Sequence, residues 1–532
     1  MKNHTHKRKA LSLTSLVLCA AILSGCSSSA APHGNISMSS SMYMSSAPNG
    51  GFNNYQTTDM VDTEDNFNTE EYSAITENSY KSTAAEPLST FSIDVDTASY
   101  TNLRRMIKEN GPIPADAVRI EEMINYFRYD YPEPVNNEPF SVTTELSDCP
   151  WNDLTRLMLI GLKAPEIDLS DRAPMNLVFL IDVSGSMYSE DKLPLVQKAF
   201  TMLTEELTPA DRISIVTYAG TDSVVLEGTD GGDKQKITDA IESLQAGGST
   251  AGAAGINTAY KIAEKYFISG GNNRVILATD GDLNVGISSE AELKKLIEKK
   301  RESGVYLSVL GFGTGNIKDN KMEALADNGN GNYSYIDSEL EARKVLVEEM
   351  GGTLVTVAKD VKIQVEFNPA YIKGYRLVGY ENRLLSAEDF EDDSKDAGEI
   401  GAGHTVTALY EVVMNDSPME LSSSDLKYTD TENKGTENGE LLTVALRYKE
   451  PDKDESKLLE YPVPVNAYTP ELPANLRFAS AVAEFGLCLR DSKYKGTATK
   501  NTILDLLGGC DIANDTYKAE LAELVKQAKF PN

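Results

Sequence analysis

The chain has 532 residues, with 50 Lys+Arg against 81 Asp+Glu, 41% apolar and 8% aromatic residues. This is globular composition, long enough for about three domains, and a net charge of −31 excludes a protein that tracks nucleic-acid phosphates. Four histidines, His4, His6, His33 and His404, are too few for His-rich zinc sites or for Ser-His-Asp and Cys-His catalysis.

The N-terminus reads as an export leader. Lys2, Lys7, Arg8 and Lys9 precede an apolar run from Leu11 to Leu23, shorter than the roughly 20 residues of a membrane-spanning helix. Leu23-Ser24-Gly25-Cys26 resembles the lipobox of bacterial lipoproteins, which predicts a signal peptide over 1–25 and a lipidated Cys26. Residues 26–86 follow as a low-complexity tether, first rich in Ser, Met, Asn and Gly, then acidic, with folded sequence expected from Pro87. The body beyond holds Cys149, Cys488 and Cys510. Three thiols allow at most one disulfide, with Cys488 and Cys510 as candidates, against the alternative of small buried residues.

Residues 87–172 predict an N-terminal extension: a strand in FSIDVDTASY, helices in TNLRRMIKENG and VRIEEMINYF, and strands at Phe140–Leu146 and Arg156–Lys163. Over 173–354 strands and helices alternate. NLVFLID and RVILATD are near-continuous apolar runs, as in strands covered on both faces, while Leu193, Val196, Phe200, Leu203 and Leu207 share one helix face. This is α/β patterning: a doubly wound, mainly parallel, Rossmann-like sheet. From 355 to 470 the period returns to two, with Val361, Ile363, Val365 and Phe367 on one face, and 471–532 is helical. Strands near 140–163 are predicted to pair with strands from 357–465, so that the α/β domain is inserted in a β-sandwich-like unit.

The strand Asn176–Ile181 ends in Asp182-Val183-Ser184-Gly185-Ser186-Met187, a D-x-S-x-S pattern. Gly247-Gly248-Ser249-Thr250-Ala251-Gly252 precedes a helix, and Thr279-Asp280-Gly281-Asp282 ends the strand RVILA. Open α/β sheets bind ligands at the carboxyl ends of their strands. Two carboxylates with three hydroxyls, and no Cys or His, make a hard-oxygen set for Mg²⁺, with Mn²⁺ or Ca²⁺ as alternatives.

These three loops on alternating strands and helices resemble the metal-ion-dependent adhesion site of von Willebrand factor type A domains. The resemblance implies that Ser184, Ser186 and Thr250 coordinate the ion directly and that Asp182 and Asp280 act directly or through water. FSIDVDTASY, VRIEEMINYF, FNPAYIKGYRLVGYENR and GEIGAGHTVTALYE extend it to a family of bacterial lipoproteins with extensions on both sides of this domain. The expectation is a binding protein rather than an enzyme. It would be held to a bacterial membrane only through its lipid anchor, at the outer membrane or the outer face of the cytoplasmic one, and would recognise an Asp or Glu carboxylate of a protein partner. A metal-independent envelope scaffold is the rival. A hydrolase ranks lower, since Asp282 is the one obvious extra carboxylate beside the motif.

Other motifs read as structural. Gly311-Phe-Gly-Thr-Gly315 has Asn316 where a dinucleotide fingerprint needs glycine, and reads as a tight turn. Ser189-Glu-Asp-Lys192 matches S-x-x-K without its partner motifs, and reads as a helix start. Asp94–Ser99 reads as a strand-end turn with Asp96 as a candidate helix cap, Asp430–Gly435 as a hairpin loop, the acidic run Glu388–Glu399 as a solvated loop, and His404 as a structural hydrogen-bonding residue.

Overall fold

The computed structural model describes residues 69–531, excepting 137, 169–171, 249–251, 282–289, 351–353, 422–434 and 452. The leader, Cys26, the tether to residue 68, Thr250, Asp282 and most of the Asp430–Gly435 loop therefore lie outside the described residues.

In chain order the elements are β1 (Lys81–Ser82), β2 (Leu88–Ser92), α1 (Ala98–Lys108), α2 (Ile120–Asn125), β3 (Ser141–Asp148) and β4 (Arg156–Lys163). Next come β5 (Met175–Asp182), α3 (Leu193–Glu205), β6 (Arg212–Tyr218), β7 (Asp222–Asp230), α4 (Lys234–Glu242), α5 (Gly252–Lys265) and β8 (Asn272–Thr279). Then follow α6 (Glu290–Arg301), β9 (Tyr306–Phe312), α7 (Asp319–Asn328), β10 (Tyr333–Ile336) and α8 (Glu339–Arg343). The remaining strands are β11 (Thr356–Phe367), β12 (Ile372–Val378), β13 (Leu384–Leu385), β14 (Gly398–Gly401), β15 (Thr405–Met414), β16 (Glu440–Lys449) and β17 (Ser456–Pro464). Helices at Ala474–Arg490, Lys500–Gly508 and Thr516–Gln527 end the chain.

The middle of the chain forms a six-stranded sheet in the order β10-β9-β8-β5-β6-β7, parallel except for β7. Every residue of β5 is buried, because helices cover both faces. On one side Phe179 and Ile181 pack with Val196 and Phe200 of α3 and Ile237 of α4. On the other, Val178 and Leu180 pack with Ile256 and Tyr260 of α5 and Met322 of α7. The chain leaves β5 toward β6 and later returns to its other side as β8, which makes the β5/β8 boundary the topological switch point.

The flanking strands build a two-sheet sandwich from both sides of this insertion. One sheet runs β1-β12-β15-β4-β3 and the other β13-β2-β11-β16-β17, with β14 also on β11. Thus β4 pairs along its whole length with β15, Arg156 opposite Val412 and Lys163 opposite Thr405. Side-chain alternation in β4 serves two cores: Met158, Ile160 and Leu162 point into the sandwich, while Leu157 and Leu159 meet α1, α2 and the C-terminal helices. The predicted pairing and insertion are what the structure shows.

Three expectations need correction. The chain is already packed before Pro87. Thr69 and Glu71 donate backbone hydrogen bonds to Gly315 and Ile317 (3.0 and 2.9 Å), and β1 pairs with β12. The acidic composition of 59–86 hid this, because backbone pairing needs no apolar side chain. Asp96 does not cap α1. Its carboxylate accepts the Tyr333 N–H at 2.8 Å and faces Arg383. The acidic run contains a short helix (Ala387–Glu391) and β14, and its Asp393 carboxylate and carbonyl face Arg447, Ser456 and Lys449. Of the two readings left open for the cysteines, the unpaired one holds: Cys149, Cys488 and Cys510 are all free thiols. Cys488 lies in the core, whereas Cys510 Sγ donates to the Leu506 carbonyl.

Candidate metal centre

Asp182, the last residue of β5, is fully buried. The chain must leave the sheet here, and the Asp182 carboxylate fixes how it does so, accepting the Ser184 N–H at 2.8 Å. Gly185–Tyr188 then form a 3₁₀ turn, and the hydroxyls of Ser184 and Ser186 meet at 2.9 Å. Ser184 is buried and Ser186 exposed, so the donor set runs from a closed floor to an open rim.

The second loop is tied to the first through the backbone. Gly247 donates to the Val183 carbonyl (2.8 Å) and Gly185 to that of Gly248 (3.0 Å). This brings the segment leading to Thr250 alongside the D-x-S-x-S turn, although Thr250 itself is not among the described residues. The third loop comes from β8. Thr279 Oγ1 donates to the other Asp182 oxygen at 3.4 Å and accepts the Gly281 N–H at 3.2 Å, leaving buried Asp280 between them. Gly281 holds φ +100°, and a Cβ there would lie 2.7 Å from Asn316 O and Lys318 N. Only glycine lets this turn press against the loop after β9.

Asp182, Ser184, Ser186 and Asp280 are thus brought together at the switch point. Burial, with a smaller contribution from the neighbouring Asp280 charge, pushes the Asp182 carboxyl up to about 6 against the Ser184 hydrogen bonds. Two carboxylates taken out of water beside paired hydroxyls suit a hard dication, which would be held by the Asp182 and Asp280 carboxylates and the Ser184 and Ser186 hydroxyls. Among the described residues there is no group of three or more His, Cys, Asp or Glu that could bind a metal by itself, as expected where hydroxyls supply half of the ligands.

Two residues join this site that the sequence reading did not assign to it. Lys192, at the start of α3, places Nζ 2.8 Å from Asp280 Oδ2, with its side chain 10% exposed. The S-x-x-K match drew attention to Lys192, but only the fold shows its target. Tyr188, 82% exposed, stands on the same turn as Ser186.

The family models agree with this architecture. The model described as von Willebrand factor type A domain matches residues 176–349. One described as von Willebrand factor matches 66–159, and one described as Uncharacterized protein YfbK, C-terminal, matches 352–530. The chain is 44% identical over 438 residues to the uncharacterized protein YfbK of Escherichia coli strain K12, covering 80% of this chain and 75% of that protein. The uncharacterized protein sll0103 of Synechocystis is 30% identical over 190 residues, 35% of this chain and 43% of that one. Among solved structures, a von Willebrand factor type A protein from Catenulispora acidiphila matches 75% of this chain and 91% of its own, with 17% identity and a TM-score of 0.44. From the Inserted sheet to the C-terminal helices, the chain belongs to the family of Escherichia coli YfbK, with a von Willebrand factor type A domain followed by that family's C-terminal region.

Proposed function

We propose that this protein is a lipid-anchored binding protein of the bacterial envelope, which recognises a carboxylate of a protein partner through a divalent cation in its type A domain. The observation that carries this reading is the convergence of Asp182, Ser184, Ser186 and Asp280 at the carboxyl end of the sheet, with Ser186 exposed at the rim. When bound, the cation, Mg²⁺ in the first instance, supplies a hard positive centre able to accept a carboxylate oxygen. Asp182 and Asp280 carry the charge that holds it, Ser184 and Ser186 orient around it, and Tyr188 offers an exposed aromatic contact for a partner. The anchor rests on Leu23–Cys26, and no helix among the described residues is long and apolar enough to cross a membrane. We assign the protein no catalytic role, since a binding site of this kind needs neither nucleophile nor general base.

The test is thermal unfolding with Mg²⁺, Mn²⁺ or Ca²⁺, comparing wild type with Asp182→Ala. A cation that binds only the folded state stabilises it by about 2.7 kcal/mol at 100-fold over Kd. The expected result is an upward shift in wild type that disappears in the variant. An equal shift in both would place ion binding elsewhere.

A further inference from the structure

The Lys192–Asp280 pair is built into the site rather than lying beside it. The lysine stem runs beneath Gly313, where φ is +75° and a Cβ would fall 2.4 Å from both Cγ and Cε of Lys192. Tyr335 Oη donates to the Gly313 carbonyl at 2.8 Å and fixes that turn. The same turn is held from outside by Thr69 and by Glu70, whose carboxylate accepts the Gly315 N–H at 3.1 Å. A flexible four-carbon side chain is thereby confined to one path that ends on a fully buried carboxylate.

Resting on the ion-site reading above, we infer that Lys192 is a built-in counter-charge that makes divalent-ion binding at this site depend on the arriving carboxylate. The described site presents two carboxylates and one ammonium. Among these described residues the charges without an ion sum to a single negative one. A dication turns it into a single positive charge in a poorly solvated place, which is costly until one carboxylate arrives and neutralises it. Without the ammonium, the two carboxylates would balance the dication alone and the site would have little further need of an anion. The charge count also selects the ligand, since a monocarboxylate closes the balance whereas a dianionic phosphate overshoots it. Lys192 acts through Asp280 and is a positioning residue.

The experiment measures Mn²⁺ binding to the full chain by the loss of the free-Mn²⁺ electron paramagnetic resonance signal, with acetate or chloride at matched ionic strength. In wild type, acetate should tighten Mn²⁺ binding. Lys192→Gln and Lys192→Met should bind Mn²⁺ without acetate about tenfold more tightly or better, because a like charge held within a few ångströms has been removed, and they should gain little from acetate. Lys192→Arg should behave as wild type. Mn²⁺ affinity in Lys192→Gln equal to or below that of wild type, with an unchanged circular dichroism spectrum, would overturn the inference. Wild-type affinity indifferent to acetate would overturn it without any variant. Asp182→Ala separates the two levels. If it leaves wild-type Mn²⁺ binding intact, the ion-site reading fails and this inference with it. If it abolishes binding while Lys192→Gln is no tighter, the inference fails alone.

Discussion

At the scale of single residues, the site depends on backbone freedom as much as on ligands. Gly281 follows Asp280 and occupies a region of φ that L side chains avoid, in contact with the backbone of Asn316 and Lys318. Gly281→Ala should cost about 2–4 kcal/mol, from backbone strain of about 1–3 kcal/mol plus displacement of the neighbouring loop. It should also weaken ion binding by moving Asp280. Thermal unfolding in chelator measures the first effect, and the ion-induced shift measures the second. A variant as stable as wild type would show that the turn relaxes freely. The four described candidate ligands were legible in sequence because each lies at or just after the end of an apolar strand, where an open α/β sheet delivers its loops. Lys192 was not, because its role depends on a path beneath Gly313, 121 positions further on in the chain. Gly313 itself read as a tight turn, which it is, with no sign of what passes under it.

Elements were legible where one period dominated. The period of two in β11 and the helical spacing in α3 both correspond to observed faces, because each element buries one dominant core. The helix Ala474–Arg490 is different: it is enclosed on nearly all sides, with 14 buried residues, so it has no polar stripe to mark its orientation. Glu484 is trapped in it, fully buried, accepting one hydrogen bond from Thr502 Oγ1 at 2.7 Å and leaving Oε1 without a partner. Burial pushes its carboxyl up to about 7 from an ordinary 4.5, opposed by the Thr502 hydroxyl. Between those two values the folded chain keeps a proton that the unfolded chain has released, so stability falls as pH rises through this window. The loss amounts to about 3 kcal/mol once both states are ionised. Glu484→Gln should therefore gain stability over wild type at about pH 8 and gain little near pH 4.5. Urea unfolding at the two pH values reads the difference, and a pH-independent effect would mean that Glu484 is already ionised in the fold.

At the scale of the whole molecule, one buried guanidinium joins segments from three regions of the sequence. Arg104 of α1 is 1% exposed. Its Nε donates to Asp337 (2.7 Å), and its terminal nitrogens reach Asp337, Glu341 of α8 (2.8 Å), Tyr126 (2.9 Å) and Glu520 of the last helix (3.1 Å). The N-terminal extension, the end of the inserted domain and the C-terminal helices thus share one cation. Arg104→Met should cost about 3–5 kcal/mol, because it leaves buried carboxylates uncompensated. Lys should rescue little, since a single ammonium cannot reproduce a planar fork that serves several acceptors. A consequence for cooperativity follows from the position of Trp151, the chain's only tryptophan. It is fully buried in the helical core outside the inserted sheet, and its indole N–H donates to Glu411 at 2.8 Å. Its fluorescence therefore reports the flanking unit, whereas far-ultraviolet circular dichroism averages over the inserted helices as well. If Arg104 couples them, urea midpoints from the two probes should coincide in wild type and separate in Arg104→Met, with the two regions losing structure at different concentrations. Coincident midpoints in the variant would mean that the sandwich strands alone, which bracket the inserted domain at β4 and β11, are enough to make the molecule unfold as one.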